Sequence, residues 1–232
     1  MKLLALETAT DQGSAALWLD GQILARECPP GPQSSATLLP LVRTLLAENG
    51  LGVADLDGIA FGAGPGSFTG LRVACGVAQG LAVAADLPVV PVGTLEAMAW
   101  ASGTAVGEKV AAYLDARMGE VYSGFYQRQE AGVLALGPVT VNSPATAPLP
   151  EGPGWIACGN GIGAYAALAD RLAPLGLPTF PDRVPVAAAV VALAAPRLQR
   201  GEGVDAALAA PTYVRDKVAQ TVAERLAAGG KA

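Results

Sequence analysis

Histidine is absent from all 232 residues, and that one gap excludes more chemistry than any motif present suggests. Serine–histidine and cysteine–histidine nucleophile activation, histidine-ligated zinc and the ordinary neutral-pH general base all go with it. Any catalysis here would rest on carboxylates, lysine or tyrosine. Cysteine is scarce too: Cys28, Cys75 and Cys158 are odd in number, far apart and without a CxxC pair. That supports neither a disulfide framework nor a thiolate zinc site and predicts three reduced core residues. Charged residues are only 15% of the chain and the net charge is −5, so the clustered Lys and Arg needed for counterion release are missing. Nucleic acid would have to be held by a partner. Uninterrupted apolar runs of about 18 residues are also lacking, and the first residues enter a structured pattern rather than a signal peptide. Together these predict a cytoplasmic protein with no membrane role.

What the chain does have is apolar residues, 52% of the total, enough for a large core in one domain or two compact lobes. The stretch that organises it is Gly62-Ala63-Gly64-Pro65-Gly66-Ser67-Phe68-Thr69-Gly70-Leu71-Arg72, with the small-residue segment that runs on to Ala85. Its composition predicts a strand over Gly58–Phe61, a tight loop, and a helix from Ser67, a residue type favoured at helix N-caps, to Ala85. Gly70, Gly76 and Gly80 burden that helix by about 1 kcal/mol each relative to Ala. Small residues recurring every four positions flatten two faces, and Arg72 is the only charge. One face can pack on the chain's own sheet; the other asks for a second helix or a partner chain, unless the whole rod is internal.

The chain opens with strands at Lys2–Leu6 and Ser14–Leu19, and Asp20-Gly21 signals a hairpin into a third at Gln22–Arg26. A helix capped by Ser34 or Ser35 runs to Glu48, with Pro40 either in its first turn or at a kink. Pro88–Val92 is expected as a buried strand and Leu95–Trp100 as a helix, giving a partly parallel sheet. After a composition break at Ala101–Gly107 the order repeats: strand Val110–Leu114, polar turn, strand Glu120–Tyr126, and a third strand at Gly132–Leu136. Glu7 and Asp115 then hold equivalent places at the ends of opening strands, which points to an internal duplication. Later elements are a Pro-rich loop Pro144–Gly154, a strand Trp155–Cys158, helices Ala164–Leu172 and Val186–Leu198, an extended link Pro211–Arg215 and a final helix Asp216–Ala227. The lobes would comprise 1–104 and 105–213.

The central loop lacks the GK[ST] of a Walker A motif and has Ser67 where a Rossmann loop has its last glycine. Ser67 and Thr69 have no activating base in sight, so a capping role suits Ser67 better than nucleophilic attack. The turn acids Glu7, Asp11, Asp115 and Glu120 could hold a hydrated metal for a Mg-nucleotide if two turns face one another across a cleft. They are equally read as ordinary turn acids bonding nearby N–H groups.

Five strings add to these observations: Leu4-Ala5-Leu6-Glu7-Thr8-Ala9-Thr10, the Gly64–Arg72 loop, Gly93-Thr94-Leu95-Glu96-Ala97, Asp115-Ala116-Arg117-Met118-Gly119-Glu120-Val121-Tyr122 and Pro211-Thr212-Tyr213-Val214-Arg215. In this order they resemble the bacterial TsaB (YeaZ) family along nearly the whole chain. The resemblance implies an α/β actin-like ATPase (ASKHA, RNase H-like) fold of two duplicated lobes with mixed sheets flanked by helices, with a C-terminal helix, 214–232, joining the first lobe. It implies a non-catalytic partner of a TsaD-type transferase and a TsaE-type ATPase, which together make threonylcarbamoyladenosine beside the anticodon of tRNAs reading A-starting codons, with tRNA met only through the complex. It further implies an interface for TsaD, or for a second copy, on two helices: Leu38, Leu41, Val42 and Leu45 on the first, and Leu71, Ala74, Val77, Ala78 and Leu81 on the second. No cofactor, metal or catalytic residue is implied, beyond weak or partner-shared ATP or ADP with Mg at Glu7, Thr8, Asp11 and Asp115. Asn160 stands in Gly159-Asn160-Gly161 where many relatives carry an aspartate.

Overall fold

The computed structural model describes residues 1–29 and 34–215, and the expected helix from Asp216 onward lies outside the described residues. Alternating apolar residues in Lys2–Glu7 (β1) send Leu4 and Leu6 to one side and Leu3 and Ala5 to the other. Both sides are therefore buried. β1 pairs antiparallel with Ser14–Leu19 (β2), which pairs antiparallel with Gln22–Glu27 (β3) through the Asp20-Gly21 turn. On its other edge β1 pairs in parallel with Gly58–Gly64 (β4), and β4 with Val89–Gly93 (β5). The first sheet thus runs β3-β2-β1-β4-β5.

Ser34–Glu48 (α1) and Phe68–Ala85 (α2) cover one face of it. Leu38, Val42 and Leu45 of α1 and Ala74 and Ala78 of α2 interlock with Leu4, Leu6, Leu17, Ile59 and Phe61. Pro40 lies inside α1 rather than in its first turn. The opposite face is covered by Ala187–Gln199 (α6), whose Val190, Val191, Leu193 and Ala194 meet Leu3, Ala5, Ala16, Ala60 and Val92. That helix was expected with the second half of the chain. Its small, apolar side suits any flat sheet face, and the chain returns it to the first: Val204 bridges Val89 just beyond it.

The second sheet repeats the first. Lys109–Asp115 (β6), Val121–Gln129 (β7) and Gly132–Ala135 (β8) are antiparallel neighbours, and Trp155–Cys158 (β10) and Thr179–Phe180 (β11) extend β6 in parallel. The order β8-β7-β6-β10-β11 reproduces that of the first sheet, with Thr140–Asn142 (β9) added beside β7. This is the α/β fold of duplicated mixed sheets that the sequence implies. Thr94–Ala101 (α3) is wedged between the two halves: Leu95 and Met98 pack on the second sheet, whereas Ala97 joins the α6 cluster. Glu96 of α3 also pairs with Arg197 of α6. The far side of the second sheet is closed by Asn160–Ala164 (α4) and Ala166–Leu172 (α5); α5 is the helix expected from Ala164, its start set by Tyr165 in a β conformation, and α4 is a short turn of helix that was not expected after Trp155–Cys158. All three cysteines are free and buried.

Candidate functional site

The ends of β1 and β6 bring their turns to a common cavity of about 450 Å³. Its walls come from the first turn (Thr10, Asp11), the start of α2 (Gly66, Ser67, Phe68), the second turn (Asp115, Arg117), Asn160, and the segment from Thr212 to Arg215. Ser67 caps α2, its hydroxyl accepting from the Gly70 N–H at 3.4 Å. The last segment stitches the halves together. Thr212 donates its N–H to the Ala63 carbonyl at 2.6 Å, while Arg215 donates to the Ala116 carbonyl at 3.0 Å and pairs with Glu120. At the rim, the Arg72 guanidinium stacks 3.7 Å from the centre of the Phe68 ring and reaches the Tyr213 hydroxyl at 3.1 Å.

Of the four candidate nucleotide residues, only Asp11 and Asp115 line this cavity. Glu7 is wholly buried, and Gly62 makes room for it: a Cβ at that position would lie 2.0 Å from Glu7 Oε2. β4 itself continues through Gly62-Ala63-Gly64, expected as loop, because Gly62 and Gly64 pair with Val92 and Gly93 of β5. Glu7 Oε1 accepts the Ala9 N–H at 2.6 Å, Oε2 has no hydrogen-bond partner among the described residues, and burial pushes the carboxyl up to about 7. Thr8 is also buried, and its hydroxyl donates to the Gly70 carbonyl at 2.6 Å. Thr8 thereby braces the base of α2, and neither residue lines the cavity.

The two turn acids do face each other, with Arg117 between them. Its guanidinium lies 2.6 Å from Asp11 Oδ2 and 3.5 Å from Asp115 Oδ2. Asp115 is further engaged by the Tyr165 hydroxyl at 2.7 Å and the Arg117 N–H at 2.8 Å, and its own N–H donates to Asn160 Oδ1 at 3.0 Å. A hydrated Mg²⁺ needs carboxylate oxygens that are open to it. Here one cation already holds both, and among the described residues no group of three His, Cys, Asp or Glu is placed to hold a metal. The donor set does not fit a carboxylate-bound Mg-nucleotide. Arg117, Tyr213 and Arg215 carry no chemical signal of their own in the sequence; the strings Asp115–Tyr122 and Pro211–Arg215 in which they lie were the signal available.

The nine expected interface residues divide. Leu38, Val42, Leu45, Leu71, Ala74 and Ala78 are no more than 1% exposed and belong to the chain's interior. Leu41, Val77 and Leu81 are half-buried at its edge. Outward from them α2 presents Gly76, Gly80, Val83 and Ala84, a stripe with almost no polar atoms beyond the backbone; Val83 is 69% exposed, and among the described residues nothing lies within 4 Å of a Cβ built at Gly76 or Gly80. Leu39 of the neighbouring α1 is 50% exposed. Helical periodicity found the apolar faces of both helices but could not say which one the sheet would take.

Comparisons with known proteins follow the same lines. Residues 31–157 match a family described as "TsaD: tRNA N6-adenosine threonylcarbamoyltransferase". The chain is 36% identical to the tRNA threonylcarbamoyladenosine biosynthesis protein TsaB of Escherichia coli K12, over 94% of this chain and 96% of that one. Among solved structures, YeaZ from Pseudomonas aeruginosa superposes with a TM-score of 0.80 at 38% identity, covering 91% of this chain and 100% of the other. An activator of 2-hydroxyisocaproyl-CoA dehydratase from Clostridium difficile, solved with bound ADPNP, shares the fold alone, at a TM-score of 0.50 and 9% identity.

Proposed function

The chain belongs to the TsaB (YeaZ) family of tRNA threonylcarbamoyladenosine biosynthesis proteins, and from that premise we propose that it acts in this pathway as a non-catalytic scaffold and activator of a TsaD-type transferase. In this reading the transferase moves threonylcarbamoyl to the adenosine beside the anticodon of tRNAs reading A-starting codons. A TsaE-type ATPase joins the assembly, and tRNA is met through the complex.

The observation that carries the proposal is the outward stripe of α2. An 18-residue helix with a mean hydropathy of 1.4 has only a third of its residues buried, and its uncovered side is smooth enough for another helix to approach at close range. The absence of histidine removes imidazole as a metal ligand or base from this chain and supports a reading in which the chemistry belongs to a partner. Lobes at 1–104 and 105–213, with α6 reassigned to the first, provide the frame that presents the stripe. A second copy using the same helices is the competing occupant.

Gly76 is the position to test. Its outward Cβ direction is open, and replacing a helix-interior glycine gains about 0.5–1 kcal/mol in propensity. Gly76→Arg is therefore expected to leave the monomer at least as stable and to abolish co-purification with the TsaD-type transferase. Retained co-purification removes the stripe from the interface. Ala78→Arg is no substitute, because Ala78 is 0% exposed and an arginine there would disrupt the core. An autonomous ATPase on the same fold, the alternative reading, predicts Mg-ATP turnover by the isolated chain.

A further inference from the structure

We infer that Arg117 stands where a divalent cation would bridge the two acidic turns, so that the cleft between the sheets is held by the chain's own guanidinium and not by a metal–nucleotide. The inference is independent of the scaffold role.

Three observations carry it. The geometry is that of a bridge: one guanidinium, opposite carboxylates from the duplicated halves, at 2.6 Å to Asp11 and 3.5 Å to Asp115. Asp115 is itself fixed, its side chain 12% exposed and bonded by Tyr165, so the guanidinium is anchored at one end and reaches across to Asp11, which is 73% exposed. The backbone that delivers Arg117 is strained. Arg117, Met118 and Gly119 have φ of 59°, 54° and 74°, three successive left-handed residues of which only the last is glycine. Such conformations disfavour side chains and persist where the surroundings impose them. Here the Asp115 carboxylate accepts the Arg117 N–H, and the turn is closed by bonds between Ala116 and Glu120 and between Glu120 and Arg117.

A solvent-exposed ion pair contributes little on its own. What the bridge sets is the balance between a closed and an open cleft, with a loss of up to about five-fold in that ratio expected on breaking it. It also sets a positive charge against both carboxylates, which disfavours a second cation such as Mg²⁺ between them.

The experiment uses the full chain with spin labels at Gln22→Cys on β3 and Ala135→Cys on β8, both exposed, while the native cysteines are buried. The interspin distance is measured with and without Mg²⁺ and a non-hydrolysable ATP analogue, alongside thermal melting. The unsubstituted cleft is expected to give one narrow distribution, with neither that distribution nor the melting midpoint moved by the additions. Arg117→Gln and Asp11→Asn should both broaden it. Mg²⁺ alone should narrow it again in Arg117→Gln, where two carboxylates are freed, and not in Asp11→Asn. Asp11 is exposed enough that its variant folds whatever becomes of the strained turn. A midpoint raised by the Mg²⁺-analogue mixture in the unsubstituted cleft, or an Arg117→Gln distribution as narrow as the original, overturns the inference.

Discussion

Glu7 is a carboxylate placed where water cannot reach it. Desolvation outweighs the Ala9 and Thr8 N–H bonds that favour its charged form, and the result is a group that titrates at about 7 against an ordinary 4.5. Between those values the folded chain holds a proton that the unfolded chain has released, so stability from this group falls as pH rises through the window and is flat above it. Glu7→Gln keeps the shape and removes the titration. Urea unfolding at about pH 5 and about pH 8 should show the original losing on the order of 2–3 kcal/mol relative to the variant across that interval. Equal pH dependence of the two proteins would show that Glu7 is hydrated after all. The sequence marked Glu7 as a turn acid and could not reveal its burial, because the room for its carboxyl is left by Gly62 on β4, a strand remote in sequence that lies beside β1 only in the folded sheet.

Within α2 the glycines look alike in sequence and do opposite things. A Cβ at Gly70 would come 1.8 Å from the Thr8 carbonyl oxygen, whereas Gly76 and Gly80 face open space. Gly70→Ala is accordingly expected to destabilise by more than about 2 kcal/mol. Gly80→Ala should stabilise by about 0.5–1 kcal/mol; paired thermal melts check both signs. The element types were legible because they depend on local rules: alternation in β1, the Asp20-Gly21 turn, small-residue periodicity in α2. Strands of two and three residues at Thr179–Phe180 and Thr140–Asn142 were not, since such short pieces exist only through the sheet they join. The burial of Leu38, Val42 and Ala78 likewise depends on which side of each helix meets the sheet, which local pattern leaves undetermined.

The whole molecule is held by chain crossings between its two sheets. Arg215 is a small instance, reaching from the last described segment to the Ala116 carbonyl and Glu120; Arg215→Ala is expected to cost about 1–2 kcal/mol, measured by chemical denaturation. The duplication was legible as an order of elements, and the sheets bear it out with matching strand orders. The cavity between them was only partly so: the facing turns follow from the duplication, but a guanidinium standing between the acids follows from three left-handed residues that no local signal announces. The largest crossing is α6, which follows the second sheet in sequence and covers the first. During synthesis, then, all five strands of the first sheet leave the ribosome long before the helix that shields Leu3, Ala5, Ala60 and Val92. The N-terminal half must wait for its own lid to be translated, and over that interval this greasy strip is open to a chaperone.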